Sequence, residues 1–340
     1  MRLGFALIAV LVLIAIPYFG AGMGLGMLFG VIIPYLALAI FILGFVVKVM
    51  GWASLPVPFR ITTTTGQAKS LPWVKRDPLE SPYNGWETFW RMFTEIVFFR
   101  SLFRNTKAEL KEGRVVQGST KFLWAAGLVF HYSFLVIILR HVNYFVTPTP
   151  EFVTWLQFVD GFFQIGLPIL YLTDIFFVLG VGYLFLRRVG ISQMRYLSLA
   201  SDYFPLFLLL AIGLTGMGMR YLWKVDIVGV KELAVGLFSF NPVVPAGVGP
   251  LFFTHLFLVS FLIAYFPFSK LMHMGGAFLT PTRNMPNNTR AERHVNPWDY
   301  DVKVHTYEEY EDEFRPVMKA AGLPLDRDPD GAAKPEDANG

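Results

Sequence analysis

Four histidines of this 340-residue chain lie within or at the ends of long apolar stretches: His131, His141, His255 and His273. An ionisable side chain inside a membrane is costly, so each needs a reason to be there. Neutral imidazole is a good iron ligand, and two axial imidazoles give a six-coordinate iron suited to electron transfer. The set predicts two non-covalent haems of the b type, each held by two histidines.

The composition excludes several other classes of redox protein. Hydrophobic residues make up 54% of the chain and charged residues only 16%, which is too little charge for a water-facing surface. Because the chain has no cysteine, it has no disulfide, no cysteine-ligated iron–sulfur cluster and no covalently attached c-type haem. Any iron–sulfur chemistry must belong to a partner chain. With a net charge of only +4, we expect no nucleic-acid partner.

The apolar runs predict an all-α fold, a polytopic membrane helix bundle of about six transmembrane helices that binds the two haems. The first run could instead be a signal-peptide-like segment. No convincing small-residue cleavage site precedes the glycine-rich stretch that follows it, which favours a retained span. The predicted spans are 3–19, 27–49, 121–145, 160–186, 199–222 and 250–272.

The connections between these spans alternate in charge. Lys and Arg are frequent in 51–120, 187–198 and 274–340, absent from 146–159, and few in 223–249. Cytoplasmic loops collect Lys and Arg. The pattern predicts a multi-pass protein of the cytoplasmic (inner) membrane with both termini in the cytoplasm.

The chain is therefore divided into four parts. Residues 1–50 form two transmembrane helices, 51–120 a basic cytoplasmic loop, 121–273 a four-helix di-haem module and 274–340 a cytoplasmic tail. Within the loop, apolar residues at helical spacing predict an amphipathic helix that lies on the membrane, against a partner or in the bundle. These residues are Trp86, Phe89, Trp90, Phe93 and Val97.

The tail carries an acidic cluster, which is usually a solvated face, and a Pro/Asp/Gly/Ala-rich end from about residue 322 that we expect to be disordered. The cluster consists of Glu308, Glu309, Glu311, Asp312 and Glu313. The histidines outside the membrane, His294 and His305, are interpreted as surface residues.

The topology also predicts how the four histidines pair. The spans at 121–145 and 250–272 run antiparallel, so His141 faces His255 on the outer side and His131 faces His273 on the inner side. The ten residues from His131 to His141 rise about 15 Å in a helix, whereas the eighteen from His255 to His273 rise about 27 Å. A helix distortion near Pro267, or tilted helices and haems, must absorb this difference in length. The alternative is that each histidine only forms interhelical hydrogen bonds.

Other polar residues in or near the spans are candidates for functional roles. Asp174, near the middle of 160–186, is a proton relay or a structural hydrogen-bonding group. Arg140 and Arg220 could pair with haem propionates, and small residues near Thr215 allow close approach of a helix or haem. The candidates for an outer quinone pocket are Asn143, Asp160 (for which loop capping is the alternative) and Gln164.

Two stretches, 130–141 and the Pro-Phe-Ser-Lys-Leu-Met-His run of 267–273, resemble the membrane cytochrome b subunit of respiratory nitrate reductase. That family places two histidines ten apart on one helix and two eighteen apart on another, as here. The resemblance covers roughly 121–283. The extra N-terminal span, the basic loop and the tail are similar to M-type subunits of the Dsr membrane complex of sulfate reducers and sulfur oxidisers.

The resemblance implies a di-haem b, quinone-interacting electron-transfer subunit of an oxidoreductase complex. It would connect a menaquinone or other quinone pool with a cytoplasmic iron–sulfur subunit similar to heterodisulfide reductase, in sulfur-compound respiration or oxidation. Its other partners would be a periplasmic multihaem cytochrome c and further membrane subunits. By position, His131 and His273 would ligate the inner haem, and His141 and His255 the outer haem.

One family feature is missing from this chain. Nitrate reductase has a lysine near its quinol site, yet no lysine lies between Lys121 and Lys224. The quinone-site residues and the direction of electron flow therefore do not carry over. The alternatives are a nitrate-reductase-type subunit that serves another terminal reductase and a non-redox membrane anchor or transporter.

Overall fold

The computed structural model describes residues 2–55, 69, 73, 75–288, 292 and 304–326. The chain divides into two units, Met1–His294 and Val295–Gly340. The described residues are mostly helical. In chain order the helices are α1 (Arg2–Gly22), α2 (Ile33–Ala53), α3 (Gly85–Phe98), α4 (Arg100–Arg104), α5 (Lys121–His141), α6 (Glu151–Asp160), α7 (Leu172–Gly190), α8 (Ser192–Leu197), α9 (Ala200–Met217), α10 (Ile227–Phe238), α11 (Pro250–Tyr265), α12 (His273–Leu279), α13 (Pro281–Asn284) and α14 (Tyr307–Ala320).

Short irregular turns extend three of these helices. A π turn, Leu28–Ile32, leads into α2, and a second, Gly218–Leu222, ends α9. A 3-10 turn, Val142–Tyr144, follows α5. Two more 3-10 turns, Phe266–Phe268 and Lys270–Met272, link α11 to α12. Such departures from the α-helix change the direction in which side chains leave the helix, which matters at the sites below.

Five helices among the described residues are long and apolar enough to cross a membrane. Because they are apolar all round, most of their side chains face lipid or one another. They are Arg2–Gly22, Leu28–Ala53, Lys121–Tyr144, Ala200–Leu222 and Pro250–Phe268. These helices agree with five of the six spans expected from hydropathy.

The sixth expected span, 160–186, has the wrong boundaries. Residues 151–160 form the separate helix α6, and α7 begins only at Leu172. Between them Gly166 adopts a φ of +79°, a left-handed conformation, and Pro168 lacks the N–H that a helix needs. Asp174 therefore lies in the first turn of α7 and not near the middle of a span.

Helix α7 as a membrane span stays a prediction. Its 19 residues rise about 28 Å, close to the roughly 30 Å of a bilayer core. Every 18-residue stretch of it contains three charged residues, Asp174 in the first turn and Arg187 and Arg188 in the last. It packs in the bundle between α5 and α9.

Buried apolar side chains hold the membrane helices together. Val10 of α1 packs with Leu208 of α9 and Leu258 of α11, so the first helix is part of the bundle. Phe177 of α7 packs with Leu209 of α9. Gly180 lets α7 approach α5 closely, because a side-chain carbon there would lie 3.1 Å from the Phe130 backbone nitrogen.

Basic residues gather at one end of the bundle, which we call the basic end and define by Arg2, Arg188, Arg195 and Lys270. The Arg2 guanidinium donates to the Ser198 carbonyl at 3.3 Å, and that of Arg188 donates to the Ser198 hydroxyl at 3.2 Å. Lys270 pairs with the Asp202 carboxylate at 2.5 Å. These contacts place the start of α1, the end of α7, the start of α9 and the turns after α11 at the same end.

The basic loop contains the amphipathic helix α3. Its N-cap residue Asn84 accepts a hydrogen bond from the Glu87 backbone at 2.9 Å. One face buries Thr88 and Arg91, and burial lowers the pKa of the Arg91 guanidinium. The other face is an exposed aromatic stripe in which neighbouring rings contact one another: Trp86, Phe89, Trp90 and Phe93.

A β-hairpin lies in the same loop and was not expected. Strands β1 (Thr106–Lys111) and β2 (Arg114–Ser119) pair antiparallel. Glu112 and Gly113 form the turn with φ values of 51° and 76°. Positive φ at both central residues identifies the tight turn that suits a two-residue hairpin. The Glu-Gly pair, followed by the β-formers Val115 and Val116, was a weak signal for it in the sequence.

The second unit contains α14, which begins with a capping box between Thr306 and Glu309. The acidic cluster is not wholly solvated, because Glu311 is only 1% exposed. Its carboxylate pairs with Arg315 at 2.9 Å and accepts from the Asp326 backbone at 2.7 Å. Residues 327–340, most of the end expected to be disordered, lie outside the described residues.

Candidate functional site

The four membrane histidines lie on three helices. His131 and His141 belong to α5, His255 to α11, and His273 is the first residue of α12. Helix α11 ends at Tyr265, and the 3-10 turns around Pro267 replace the straight α-helix that the spacing of eighteen would otherwise need. The expected distortion near Pro267 is therefore present.

The structure brings the four imidazoles together in two pairs. The ring centroids of His131 and His273 are 6.1 Å apart, with the ring planes at 90°. Those of His141 and His255 are 6.4 Å apart, with the planes at 15°. The first pair lies near the basic end, three residues from Lys270, and the second at the opposite end. The helices α5 and α11 therefore run antiparallel.

Each imidazole has its Nδ1 atom engaged in a hydrogen bond. Three of the partners are backbone carbonyls: Gly127 for His131 at 2.7 Å, Ile137 for His141 at 2.7 Å and Lys270 for His273 at 2.9 Å. The fourth, His255, faces the Thr215 hydroxyl at 2.9 Å. A bond at Nδ1 fixes the tautomer and leaves Nε2 as the nitrogen available to a metal.

The separation within each pair fits an iron porphyrin between the rings. On each side of the metal, the nitrogen–metal bond is about 2.0 Å and the centre of the imidazole lies about 1.1 Å beyond the nitrogen. The two ring centroids are therefore expected about 6.2 Å apart. Two imidazoles are too few for an all-protein metal site, which takes three or four ligands. A porphyrin supplies four nitrogens itself, and among the described residues α5 and α11 are not a closely packed pair, as a macrocycle between them would require.

Helix α9 provides the wall behind His255. A side-chain carbon at Gly216 would lie 3.2 Å from the His255 ring, so a larger residue would push this imidazole away. Thr215 anchors its hydroxyl on the Ala211 carbonyl at 2.8 Å and contacts the same imidazole. The small residues near Thr215 thus allow close approach of a helix.

A buried ion cluster is centred on Arg140, in the last turn of α5. Arg140 Nε lies 3.1 Å from Asp160 Oδ2, and Arg140 Nη2 lies 2.5 Å from Asp174 Oδ1. Tyr221 donates its hydroxyl to the other oxygen of Asp174 at 2.7 Å. The three charged side chains are each no more than 8% exposed. Arg140 thus contacts carboxylates of the protein itself, and Asp174 accepts hydrogen bonds from both Arg140 and Tyr221.

Tyr171 joins a second arginine to this cluster. Its ring lies between the guanidinium groups of Arg140 and Arg220, at 3.9 Å and 4.1 Å. Arg220 also donates to the Ile169 carbonyl at 3.1 Å. The π turn Gly218–Leu222 is what directs Arg220 and Tyr221 toward Tyr171 and Asp174. Sequence reasoning missed Tyr171, and neither its type nor its spacing indicated this role.

The three candidates for a quinone pocket lie in different surroundings. Asn143 Oδ1 accepts from the Thr149 hydroxyl. Asp160 accepts from the Thr173 backbone at 2.8 Å and from its hydroxyl at 2.6 Å, and so caps the start of α7, which was the alternative interpretation. Gln164 lies in the loop after α6 with a φ of 48°.

Comparison with known proteins assigns the chain to a family. The sequence model of the nitrate reductase gamma subunit matches residues 113–287, which contain all four membrane histidines and the ion cluster. The chain belongs to this family. Together with the five apolar helices, this membership identifies a multi-pass membrane protein.

Two curated relatives from archaea are similar over most of their length. Both are called Hdr-like menaquinol oxidoreductase cytochrome b-like subunit. The protein of Archaeoglobus fulgidus is 48% identical over 282 residues, 81% of this chain and 84% of the relative. That of Archaeoglobus profundus is 39% identical over 274 residues, 78% of this chain and 81% of the relative.

Proposed function

We propose that this chain is a membrane electron-transfer subunit that binds two haems b and exchanges electrons between a menaquinone pool and a partner protein. The single observation that carries the proposal is the two histidine pairs, whose ring separations are 6.1 Å and 6.4 Å and whose Nδ1 atoms are all engaged. The names of the two relatives, which describe menaquinol oxidoreductase cytochrome b-like subunits, support it.

In this proposal His131 and His273 hold the haem near the basic end, and His141 and His255 hold the other haem. The bound iron porphyrins supply the one-electron redox chemistry. The chain fixes the ring planes through the Nδ1 hydrogen bonds and surrounds the sites with apolar helices, which keeps water out. Phe99 and Phe130 pack edge-on against His131 at 5.0 Å and 4.7 Å between ring centroids and restrict its rotation.

The basic end is assigned to the cytoplasm, with both termini on that side of the inner membrane. The arginines and lysines gathered there support this orientation. A cytoplasmic iron–sulfur subunit similar to heterodisulfide reductase would dock at this end, as the words "Hdr-like" in the relatives' names suggest. A periplasmic multihaem cytochrome c would face the opposite end, and further membrane subunits would lie beside the bundle.

The finer assignment is an M-type subunit of a Dsr complex in sulfur-compound respiration or oxidation. The N-terminal helices, and the larger parts of the basic loop and the tail, lie outside the matched residues 113–287 and support it. Arg220, which pairs with no carboxylate in the described part of the chain, stays our candidate for a propionate of the haem at the opposite end. Asn143 and Gln164 stay candidates for a quinone site at that end.

A nitrate-reductase-type subunit that serves another terminal reductase is the second candidate, and the family match favours it. Both candidates share the haems and the quinone and differ in the partner. The subunits that co-purify in the full complex, or the genes beside this one, distinguish the two candidates. An iron–sulfur subunit similar to heterodisulfide reductase supports the first candidate. A molybdenum-containing reductase supports the second.

The experiment that tests the shared proposal is reduction of the purified chain by menadiol, a soluble naphthoquinol. We expect the absorption bands of reduced haem b to develop on addition of menadiol and to disappear on oxidation. A purified, folded chain that shows no haem absorption would contradict the proposal and favour a non-redox anchor or transporter.

A further inference from the structure

A cleft of about 430 Å³ lies at the basic end, between the end of α2, the 3-10 turns after α11 and the start of α12. Its volume falls within the range of small-molecule sites. No residue of the buried ion cluster at the opposite end lines this cleft. The cleft is lined by Lys48, Trp52, Ser269, Lys270, Met272, His273 and Gly276.

The cleft offers one flat apolar wall and one available cation. The Trp52 indole lies beside Gly275 and Gly276, where side-chain carbons would be at ordinary contact distances of 3.6 Å and 3.9 Å from it. The Lys48 ammonium lies 5.8 Å from the centre of that indole, and within the described residues it has no hydrogen bond or ion pair. Lys270 is occupied by Asp202, at 2.5 Å. Lys48 is therefore the donor that a bound molecule would meet.

The surroundings indicate a ligand that arrives from the lipid. Large apolar side chains are exposed on the elements that border the cleft: Val47 and Met50 on α2, Phe268 on the turn after α11, and Met274 on α12. Because they would face the bilayer, a lipophilic molecule reaches the cleft without crossing a polar surface. A planar ring with a polar oxygen fits an indole wall with an ammonium at its edge.

His273 forms one wall of the cleft, whereas His131 does not line it. The cleft therefore lies to the side of His273 and not in the gap between the two imidazoles. His273 would thus contact both a haem held by this pair and a molecule bound in the cleft. That proximity suits a molecule that exchanges electrons with the site.

The geometry points to a binding site for the headgroup of a menaquinone-class quinone at the basic end. Lys48 donates a hydrogen bond to a carbonyl oxygen of the ring, and Trp52 covers one ring face. This inference rests on the proposed function, since it gives His273 a haem. It differs from the outer quinone pocket at Asn143 and Gln164, because it places the site beside the other histidine pair.

The test uses 2-heptyl-4-hydroxyquinoline N-oxide, a fluorescent quinol analogue whose emission falls when it binds near haem. Its dissociation constant is measured with the purified full chain, with Lys48→Met and with Lys224→Met as the matched control beyond α9. Lys48→Met removes the charge and keeps the length of the side chain at a lipid boundary, so the chain should fold. We expect about tenfold weaker binding to Lys48→Met and unchanged binding to the control. Trp52→Leu should also weaken binding several-fold.

Haem content, measured on the same samples, separates this inference from the proposed function. Two haems per chain with equal affinity for the original chain and Lys48→Met would overturn the quinone site and leave the function intact. Loss of one haem in Lys48→Met would also overturn it, because the cleft would then belong to the haem. A chain without haem would overturn the proposed function itself, whatever the analogue does.

Discussion

The two histidine pairs are alike in ring separation and different in almost everything around them. The pair near the basic end, His131 and His273, has ring planes at 90° and both Nδ1 atoms on backbone carbonyls. The pair at the opposite end, His141 and His255, has nearly parallel planes, and one of its Nδ1 atoms depends on the Thr215 side chain.

The charged surroundings of the two pairs differ as well. Next to His141, Arg140 lies in a buried cluster with two carboxylates. Beside His273 lies an open cleft with Lys48, and the nearby Lys270 pairs with Asp202 at the bundle surface. The comparison teaches that backbone carbonyls hold both Nδ1 atoms of the first pair, whereas one Nδ1 atom of the second depends on a side chain, Thr215, that substitution can remove.

The largest expected effect is loss of a single haem. His131→Ala should remove the haem near the basic end and leave the other, and His255→Ala should do the reverse, because a haem with one axial imidazole is weakly held. Pyridine haemochrome quantitation should give one haem per chain for each variant. His305→Ala, in the second unit, is the control and should keep two.

Electron paramagnetic resonance of the same variants sharpens the comparison. Nearly perpendicular ligand planes leave two iron d orbitals close in energy and give a more anisotropic signal than parallel planes do. We expect His255→Ala to retain the more anisotropic signal and His131→Ala the less anisotropic one. Loss of both haems, or of neither, from either variant would contradict the ligand pairs.

The next effect concerns the cluster at the opposite end. Arg140→Met leaves Asp160 and Asp174 buried without their cation, which should lower the free energy of unfolding by about 3–5 kcal/mol. Adding Asp174→Asn should recover part of the loss, since one buried charge is then gone. Thermal unfolding in detergent measures both.

Arg195→Met is the matched control at the basic end. The Arg195 side chain is exposed, with a long contact of 3.5 Å to the Val189 carbonyl, so the change should be within about 0.5 kcal/mol. Equal destabilisation by Arg140→Met and Arg195→Met would show that the cluster contributes no more than a surface arginine does.

A smaller effect is expected from the side chain that holds His255. Thr215→Val removes the hydroxyl and keeps the shape, so the haem at the opposite end should be bound about 10–100-fold more weakly. Haem retention during dilution or competition with a haem-binding protein measures this. Thr254→Val is the control: its hydroxyl bonds the Pro250 carbonyl at 2.9 Å, so haem affinity should not change.

The smallest effect should come from Phe99, beside the other pair. Its φ of 51° is left-handed, and its ring packs edge-on against His131. Phe99→Gly relieves backbone strain, which stabilises the fold by about 1 kcal/mol, and removes the ring contact, which destabilises it by about 1 kcal/mol. The two effects oppose each other, so the free energy of unfolding should change little. The midpoint potential of the haem near the basic end should shift while the other stays constant. A shift of both potentials would mean that the two sites are not independent.

Hydropathy and spacing were enough to predict much of this fold. Long apolar runs identified five helices, because a bilayer requires continuous apolar segments. Loop charge and the order of the histidines predicted which imidazoles meet, since an antiparallel return fixes the pairing. The expected distortion near Pro267 is present because proline cannot continue the hydrogen-bond ladder.

Other features depend on contacts between distant parts of the chain and left little sign in the sequence. The start of α7 is set by Asp160, which caps it across a loop of eleven residues, so an apolar run was mistaken for one helix. The two arginines around Tyr171 meet only because a π turn redirects Arg220. The hairpin between α4 and α5 was obscured by its charged residues.

The central claim is tested most directly by the haem stoichiometry of the purified, unsubstituted chain, from pyridine haemochrome absorption divided by protein concentration from amino-acid analysis. The account predicts two haems b per chain. A value below one in a folded chain, from preparations supplied with ample haem, would contradict it.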